Sequence, residues 1–257
     1  MTATQQPPTP SQDITSPQVN RPARRGSFSL LDLYGSAVGK KWVMAITGIG
    51  LMGFVLAHMV GNLKMFLGAE DLNHYGEFLR ELLVPILPRT VALWLMRIGL
   101  IAFFALHIHA AYSLTMMNRR ARPTGYSQRD YIAVSFAAKT MRYSGIVIGL
   151  FLLWHLADLT WGLEAINPDF VRGEPYENLV ASLERVPVAI LYVVANIALG
   201  LHLYHGSWSI FQTLGSMSPR FNPRRNPLRR GFAAAFAVVV AGANISFPLA
   251  VQFGVVG

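Results

Sequence analysis

Five apolar stretches, each at least about 20 residues long, divide this chain of 257 residues and constrain its fold more than any other feature. They cover residues 42–65, 90–117, 143–163, 187–212 and 231–255. A helix needs roughly 20 apolar residues to cross a bilayer core. Only 14% of the residues are charged, against about 25% in soluble domains. The sequence therefore predicts an all-α membrane protein in which residues 28–257 form one five-helix bundle.

The segment before the first apolar stretch has a different composition. Residues 1–27 are rich in Thr, Gln, Pro and Ser, and we expect them to be disordered because they have too few apolar side chains for a core. The pair Arg24 and Arg25 precedes the first apolar stretch by 17 residues. Since that stretch has full spanning length, we interpret it as a retained helix rather than a cleaved signal. No internal repeat is apparent.

The charged residues are divided unevenly between the two sides of the predicted membrane. Sixteen of the 22 Lys and Arg residues lie in the N-terminal segment and in the connections 118–142 and 215–230, together with three acids. The other two connections hold five basic and nine acidic residues. The positive-inside rule places the N terminus in the cytoplasm. The net charge of +9 is thereby explained by topology, and nucleic-acid binding loses its main support.

Six of the seven histidines lie inside the first four apolar stretches, and the chain has no cysteine. A metal site must therefore depend on imidazole, since thiolate ligands are absent. Ionisable side chains inside membrane helices are costly and usually mark a functional site. The six are His58, His107, His109, His155, His202 and His205.

Counting residues from the acidic connections gives each histidine a depth. His58 lies 12 residues before Glu70, and His155 lies nine before Glu164, or about 18 and 14 Å along a helix. In the second and fourth stretches, the first histidine lies about 27 Å from the same side, and the second lies about 3 to 5 Å deeper. Depth thus predicts two pairs at two levels, but it does not choose between His107 and His109 or between His202 and His205.

Facing pairs of neutral imidazoles are typical of low-spin haem, in which both axial positions of the iron are filled. Two pairs at two depths predict two haems in series across the membrane. These haems would be of b type, because covalent attachment needs a Cys-x-x-Cys-His sequence. The remaining histidines would bind a propionate, hold a neighbouring helix or line a proton or quinone path.

The chain resembles the five-helix dihaem cytochrome b anchor of succinate:quinone oxidoreductases, a group that includes succinate dehydrogenases and quinol:fumarate reductases. The resemblance covers roughly residues 30–255. It rests on four segments around the histidines: AHMVGNLKMF (57–66), LHIHAAYSLTMMNRRARP (106–123), LLWHLADLTWG (152–162) and GLHLYHGSWSIFQTLG (200–215).

The resemblance implies a ligand set and a function. It assigns the outer haem to His58 and His155 and the inner haem to His107 and His202, with His109 and His205 as alternates. It also implies a flavoprotein and an iron–sulfur subunit docked on the cytoplasmic face of a bacterial inner membrane. Electrons would pass from these partners through two haem b groups to a quinone, by resemblance menaquinone, or in reverse. A higher oligomer of the complex is left open.

Several charged residues are candidates for supporting roles. Quinone reduction consumes protons, so a carboxylate is expected near the quinone, and Glu77 and Glu81 are the candidates. Arg97 and Arg142 are candidates for binding haem propionates. Arg97 is alternatively expected to pair with Asp158, since both charges lie inside apolar stretches.

Two other functions are compatible with the composition. One is the cytochrome b anchor of a different dehydrogenase, and the other is a histidine-lined metal or proton transporter. A transporter is expected to contain inverted repeats or broken helices, which the sequence does not indicate.

Overall fold

The structure is a computed structural model that describes residues 29–121, 132–214 and 227–257. The segment 1–27 and, within the two strongly basic connections, residues 122–131 and 215–226 lie outside the described residues. Within the described ranges every regular element is helical, and five helices are long and apolar enough to cross a membrane. The predicted all-α architecture with five spans is confirmed to that extent.

Eight α-helices occur in the described residues. The five long ones are α2 (Ala37–Asn62), α4 (Val91–Arg120), α5 (Ile132–Leu156), α7 (Val186–Leu214) and α8 (Pro227–Gln252). Three short ones are α1 (Leu30–Gly35), α3 (Ala69–Glu81) and α6 (Pro175–Glu184). The predicted spans coincide with the five long helices, but the short helices were expected to be connections.

The first long helix begins at Ala37 rather than at Trp42 because polar groups cap it. The side chain of Ser36 accepts a hydrogen bond from the amide of Gly39 at 2.9 Å, which satisfies one of the free donors at a helix start. The Nζ atom of Lys40 donates to the carbonyls of Tyr34 and Gly35. These bonds fix α1 against the beginning of α2, so the helix extends beyond its apolar stretch.

One end of the bundle is covered by α3 and α6, and we call it the capped end. Asn73 donates to Glu177 at 2.9 Å and accepts from the amide of Tyr176 at 3.0 Å, which ties the two short helices together. Leu183 of α6 is fully buried in a cluster that includes Met65. Apolar stretches of about 20 residues do not reveal such amphipathic helices, because these are only 13 and 10 residues long and apolar on one face.

The helix α5 ends in a π-helical turn, Ala157–Trp161. Gly162 follows with φ of +61°, a conformation that costs glycine little. A Cβ atom at this position would lie 2.1 Å from the Phe170 ring. The turn therefore depends on glycine, and it places Asp158 completely inside the protein.

The bundle consists of two packed hairpins and a fifth helix. The helix α2 packs against α4, and α5 packs against α7; the hairpins meet where α2 contacts α7, and α8 covers α7. At the last interface a Cβ atom on Gly200 would lie 2.9 Å from the Cβ of Ala241. Small residues allow this close backbone approach, as they do in other membrane bundles.

We therefore expect Gly200→Ala to destabilise the protein by about 1 to 3 kcal/mol, the usual cost of overpacking. The matched control is Gly242→Ala, where an added Cβ meets nothing within 4 Å and helix propensity gains. The measurement is the free energy of unfolding in detergent micelles. Equal stabilities for the two variants would contradict the close packing of α7 against α8.

Candidate functional site

The structure brings His58 of α2 and His155 of α5 together near the capped end. Their ring centres lie 5.8 Å apart, with an interplanar angle of 86°. His58 also stacks on Phe54, and His155 contacts the ring of Tyr192. This is one of the two pairs that residue depth predicts.

The second pair joins His107 of α4 to His202 of α7. The ring centres are 6.5 Å apart, with an interplanar angle of 63°. Of the candidates that depth left open in α4 and α7, the structure thus brings together the two that the family resemblance favours. Their role as ligands stays a prediction.

Three of the four paired rings form a hydrogen bond through Nδ1 to a hydroxyl group. The partner of His107 is Thr47, that of His202 is Ser144 and that of His155 is Tyr192, each at 3.2 Å. The hydroxyls of Thr47 and Ser144 also donate to backbone carbonyls one turn earlier, at 2.7 and 2.6 Å. Because each hydroxyl proton is used in this way, its oxygen accepts from the imidazole Nδ1–H, and Nε2 remains available as a ligand.

The two hairpins repeat the same arrangement. Both α2 and α5 contain the pattern Met-x-x-Thr/Ser-Gly followed ten residues later by His, in residues 44–58 and 141–155. The glycines, Gly48 and Gly145, lie where an added Cβ would be 3.4 and 3.5 Å from the Cε1 atoms of His107 and His202. An internal repeat is therefore present, contrary to the expectation from the sequence, and each histidine pair takes one member from each hairpin.

The repeat sets the distance between the two levels. His58 follows Thr47 by 11 residues, as His155 follows Ser144. Eleven residues turn a helix to within about 20° of its starting direction and advance it by about 16 Å. Since Thr47 contacts His107, the two pairs lie on one side of α2, about 16 Å apart along its axis.

The ring-centre spacing of each pair matches that of two imidazoles bound to one metal ion. Two metal–nitrogen bonds of about 2 Å, plus about 1.1 Å from each nitrogen to its ring centre, place the ring centres about 6 Å apart. The helices that carry each pair, α2 with α5 and α4 with α7, are not among the closely packed pairs of the described bundle. The histidine rings thus approach each other where the backbones do not, which is the spacing that a flat macrocycle needs.

The two remaining histidines of the spans have other surroundings. The Nδ1 atom of His109 is 2.5 Å from the hydroxyl oxygen of Tyr34, and the two rings stack. His205 packs edge-on against Tyr204, and its buried Nδ1 has no hydrogen-bond partner among the described residues. Neither histidine faces another one, so the structure does not bring the alternate pair together.

Arg97 and Arg142, the candidates for binding haem propionates, lie on different helices. Arg97 is exposed on α4 and lies over the ring of Trp94, 5.0 Å from its centre. Arg142 is exposed on α5. Asp158 forms its ion pair with Arg185, at 3.3 Å. The alternative expectation that Arg97 pairs with Asp158 is therefore wrong, because the π-helical turn directs the carboxylate towards α6 and α7.

Asp158 belongs to a polar cluster that pattern analysis did not predict. Its Oδ2 atom accepts hydrogen bonds from Ser182 at 2.6 Å and from Tyr192 at 2.9 Å, and its Oδ1 atom accepts from Arg185 at 3.3 Å. Asp158 and Ser182 have no exposed surface, and Tyr192 is 6% exposed. The only sequence signal for this cluster was the presence of an acidic residue, Asp158, inside an apolar stretch, since a buried carboxylate requires partners.

The two candidate acids lie on α3 at the capped end. Glu77 forms ion pairs with Arg89 and with Arg80, the latter at 2.8 Å. Hydrogen bonding to Arg89, and next to Arg80, lowers the pKa of the Glu77 carboxyl below its usual value. Glu81 is exposed. A carboxylate held in its ionised form is a poor proton donor, so this geometry favours a structural role for Glu77.

Comparisons with protein-family models, with curated proteins and with solved structures give no match for this sequence.

The ion pairs predict how Glu77 responds to acid. Pairing favours the ionised carboxylate, so its contribution to stability is present above the usual carboxyl pKa and is lost as the pH falls through the lowered pKa of the folded protein. We expect Glu77 to titrate below an ordinary glutamate, and Arg89→Gln to raise its midpoint. Carboxyl-carbon NMR of Glu77 measures both. An unchanged midpoint in the Arg89 variant would show that the pair does not control this carboxyl.

Proposed function

We propose that this chain is the dihaem cytochrome b subunit that anchors a succinate:quinone oxidoreductase in the membrane. The observation that carries the proposal is the pair of facing imidazole couples, with ring centres 5.8 and 6.5 Å apart, at two levels of one bundle. Each pair would offer two imidazole nitrogens to one iron, which is the donor set of a low-spin haem. The resemblance of the histidine segments to this family points to the same cofactor.

The donor set fits haem better than an isolated metal ion. In the described part of the chain, no three His, Asp or Glu side chains are grouped closely enough to hold a metal ion. A tetrahedral zinc site normally takes three or four protein ligands. A porphyrin provides the equatorial ligands itself, so two imidazoles are enough. Bound haem would supply a reversible one-electron couple at each level.

The protein's own residues would keep each iron in electron-transfer chemistry. With two imidazoles bound to one iron, neither oxygen nor a substrate could bind there. The hydroxyls of Thr47, Ser144 and Tyr192 fix the ring orientation and the tautomer by accepting the Nδ1–H groups. Such hydrogen bonds to the far nitrogen of a ligating histidine also raise its basicity.

The two levels, about 16 Å apart along α2, would form an electron path across much of the membrane. By the positive-inside rule the capped end faces outward and the N terminus is cytoplasmic. His107 and His202 would then hold the inner haem, on the side where an iron–sulfur subunit with its flavoprotein would dock. His58 and His155 would hold the outer haem, on the side of the quinone, which the family resemblance implies is menaquinone.

The membrane is inferred to be the inner membrane of a bacterium. The basic connections 118–142 and 215–230 would face the cytoplasm and provide the docking side for the partner subunits. Proton supply to the quinone at the capped end would involve Glu81 rather than Glu77, because Glu77 is engaged in two ion pairs. Arg97 and Arg142 remain the proposed partners of haem propionates.

The primary test is the haem content of the purified full-length chain. We expect a reduced-minus-oxidised spectrum of b type and a pyridine assay that gives two haems per chain. Replacing His58, His155, His107 or His202 by glutamine should each remove one haem. The control variants His109→Gln and His205→Gln should keep both.

Three results would contradict the proposal. A protein without any Soret band, produced in cells with sufficient haem, would exclude a cytochrome. Colourless protein that binds zinc would favour the transporter. Loss of a haem in the His109 or His205 variant, with the neighbouring histidine dispensable, would overturn the ligand assignment.

The hydroxyl partners provide a second test. Replacing Thr47 by Val or Ser144 by Ala removes the acceptor of one imidazole Nδ1–H, and outer-shell changes of this kind typically cost about 10- to 100-fold in metal affinity. We expect the haem between His107 and His202 to be lost more easily in either variant, as measured by transfer to apomyoglobin. Equal retention in all proteins would mean that these hydroxyls do not position the rings.

A further inference from the structure

The two histidine pairs differ in the group to which the accepting hydroxyl itself donates a hydrogen bond. For His107 and His202 the accepting hydroxyl donates its own hydrogen bond to a backbone carbonyl. For His155 the accepting group is the phenol of Tyr192, which lies 3.2 Å from Nδ1. That phenol is 2.9 Å from Oδ2 of Asp158. The imidazole of His155 is thus connected to the buried carboxylate of Asp158 through one hydroxyl, that of Tyr192.

The donor of each hydrogen bond in the series His155–Tyr192–Asp158 can be assigned from the protons that these groups carry. Tyr192 has one O–H, and a carboxylate can only accept, so Tyr192 donates to Asp158. The phenol oxygen is then the acceptor for the Nδ1–H of His155. Arg185 at 3.3 Å and Ser182 at 2.6 Å use the remaining positions on the carboxylate. The direction of both hydrogen bonds is therefore fixed from the ring to the acid.

Comparison of the two repeated hairpins shows that Tyr192 and Asp158 belong to the second hairpin alone. Aligning His107 with His202 places Arg97 at the position of Tyr192, and aligning His58 with His155 places Gly61 at the position of Asp158. The first hairpin therefore has no counterpart of Tyr192 or of Asp158. The difference lies at the level of the His58–His155 pair and leaves the pattern around Thr47 and Ser144 unchanged.

We propose that Asp158 is a positioning residue that acts through Tyr192 on the imidazole of His155 and lowers the reduction potential of the haem held there. The proposal rests on the haem function proposed above. A charged acceptor at the end of the chain polarises each hydrogen bond more strongly than a neutral one. The imidazole becomes more basic, which stabilises the ferric form relative to the ferrous form.

The test is a redox titration of the full-length protein in lipid nanodiscs, with the two haem signals followed separately. In Tyr192→Phe and in Asp158→Asn we expect the potential of the His58–His155 haem to rise and that of the other haem to stay unchanged. A tenfold change in the relative stability of the two oxidation states corresponds to about 59 mV for one electron. We expect a shift of about this size.

A double variant separates the relay from a simple effect of charge. If Asp158 acts through the phenol, adding Asp158→Asn to Tyr192→Phe should cause little further shift. If the buried charge acts through space, the two shifts should add, and the proposal would be wrong. An unchanged potential in Tyr192→Phe would also overturn it. Asp158→Glu keeps a carboxylate and should restore most of the original potential.

Two controls test whether any shift is specific. Ser182→Ala removes a different hydrogen bond from the same carboxylate and should leave both potentials close to those of the original protein. Thr47→Val should affect only the His107–His202 haem. If Asp158→Asn fails to accumulate, Tyr192→Phe and Ser182→Ala still decide the question, because each removes one oxygen atom. Absence of haem from the unmodified protein would instead contradict the proposed function.

Discussion

Burying neutral imidazoles inside an apolar bundle is the constraint on which the rest of this structure depends. A polar ring in a membrane span is costly unless its nitrogens have partners. Here Nδ1 of three paired rings is satisfied by hydroxyl groups of neighbouring helices. The hydroxyls of Thr47 and Ser144 donate in turn to backbone carbonyls one turn earlier, and that of Tyr192 donates to Asp158, so each of the three rings has a fixed partner. The Nε2 atom of each of these rings remains available as a ligand.

The repeated hairpin explains why two similar sites occur, and its departures explain how they differ. The Thr47–Gly48 and Ser144–Gly145 pairs give the deeper histidines nearly the same support in both halves. Near the capped end the halves diverge, because a π-helical turn and a buried carboxylate occur in the second half alone among the described residues. The surroundings of the His155 ring therefore differ from those of the other paired rings. Proteins commonly alter regular helices by such turns at functional sites.

Much of this arrangement could be predicted from the sequence, and the reasons for the failures are physical. Apolar length gave the five spans, and residue depth gave the two levels of histidines, because helix rise is nearly constant. Depth could not separate His107 from His109, which lie about 3 Å apart along the axis but point in opposite directions. The partner of Asp158 was missed because a π-helical turn changes the direction of a side chain without a recognisable pattern. The short helices α3 and α6 were missed because they cover an end rather than cross the membrane.

Each histidine pair takes one ring from each half of the polypeptide, and this sets the order in which the pairs can form during synthesis. The N-terminal hairpin enters the bilayer first, yet by itself it contains no opposed nitrogens. The couple near the capped end is complete once α5 has inserted beside α2. The other couple must wait for α7, and Tyr192 arrives on that same helix. Assembly of the two histidine pairs is thus expected to be sequential, and the hydrogen bonds from His155 through Tyr192 to Asp158 form only when α7 is in place.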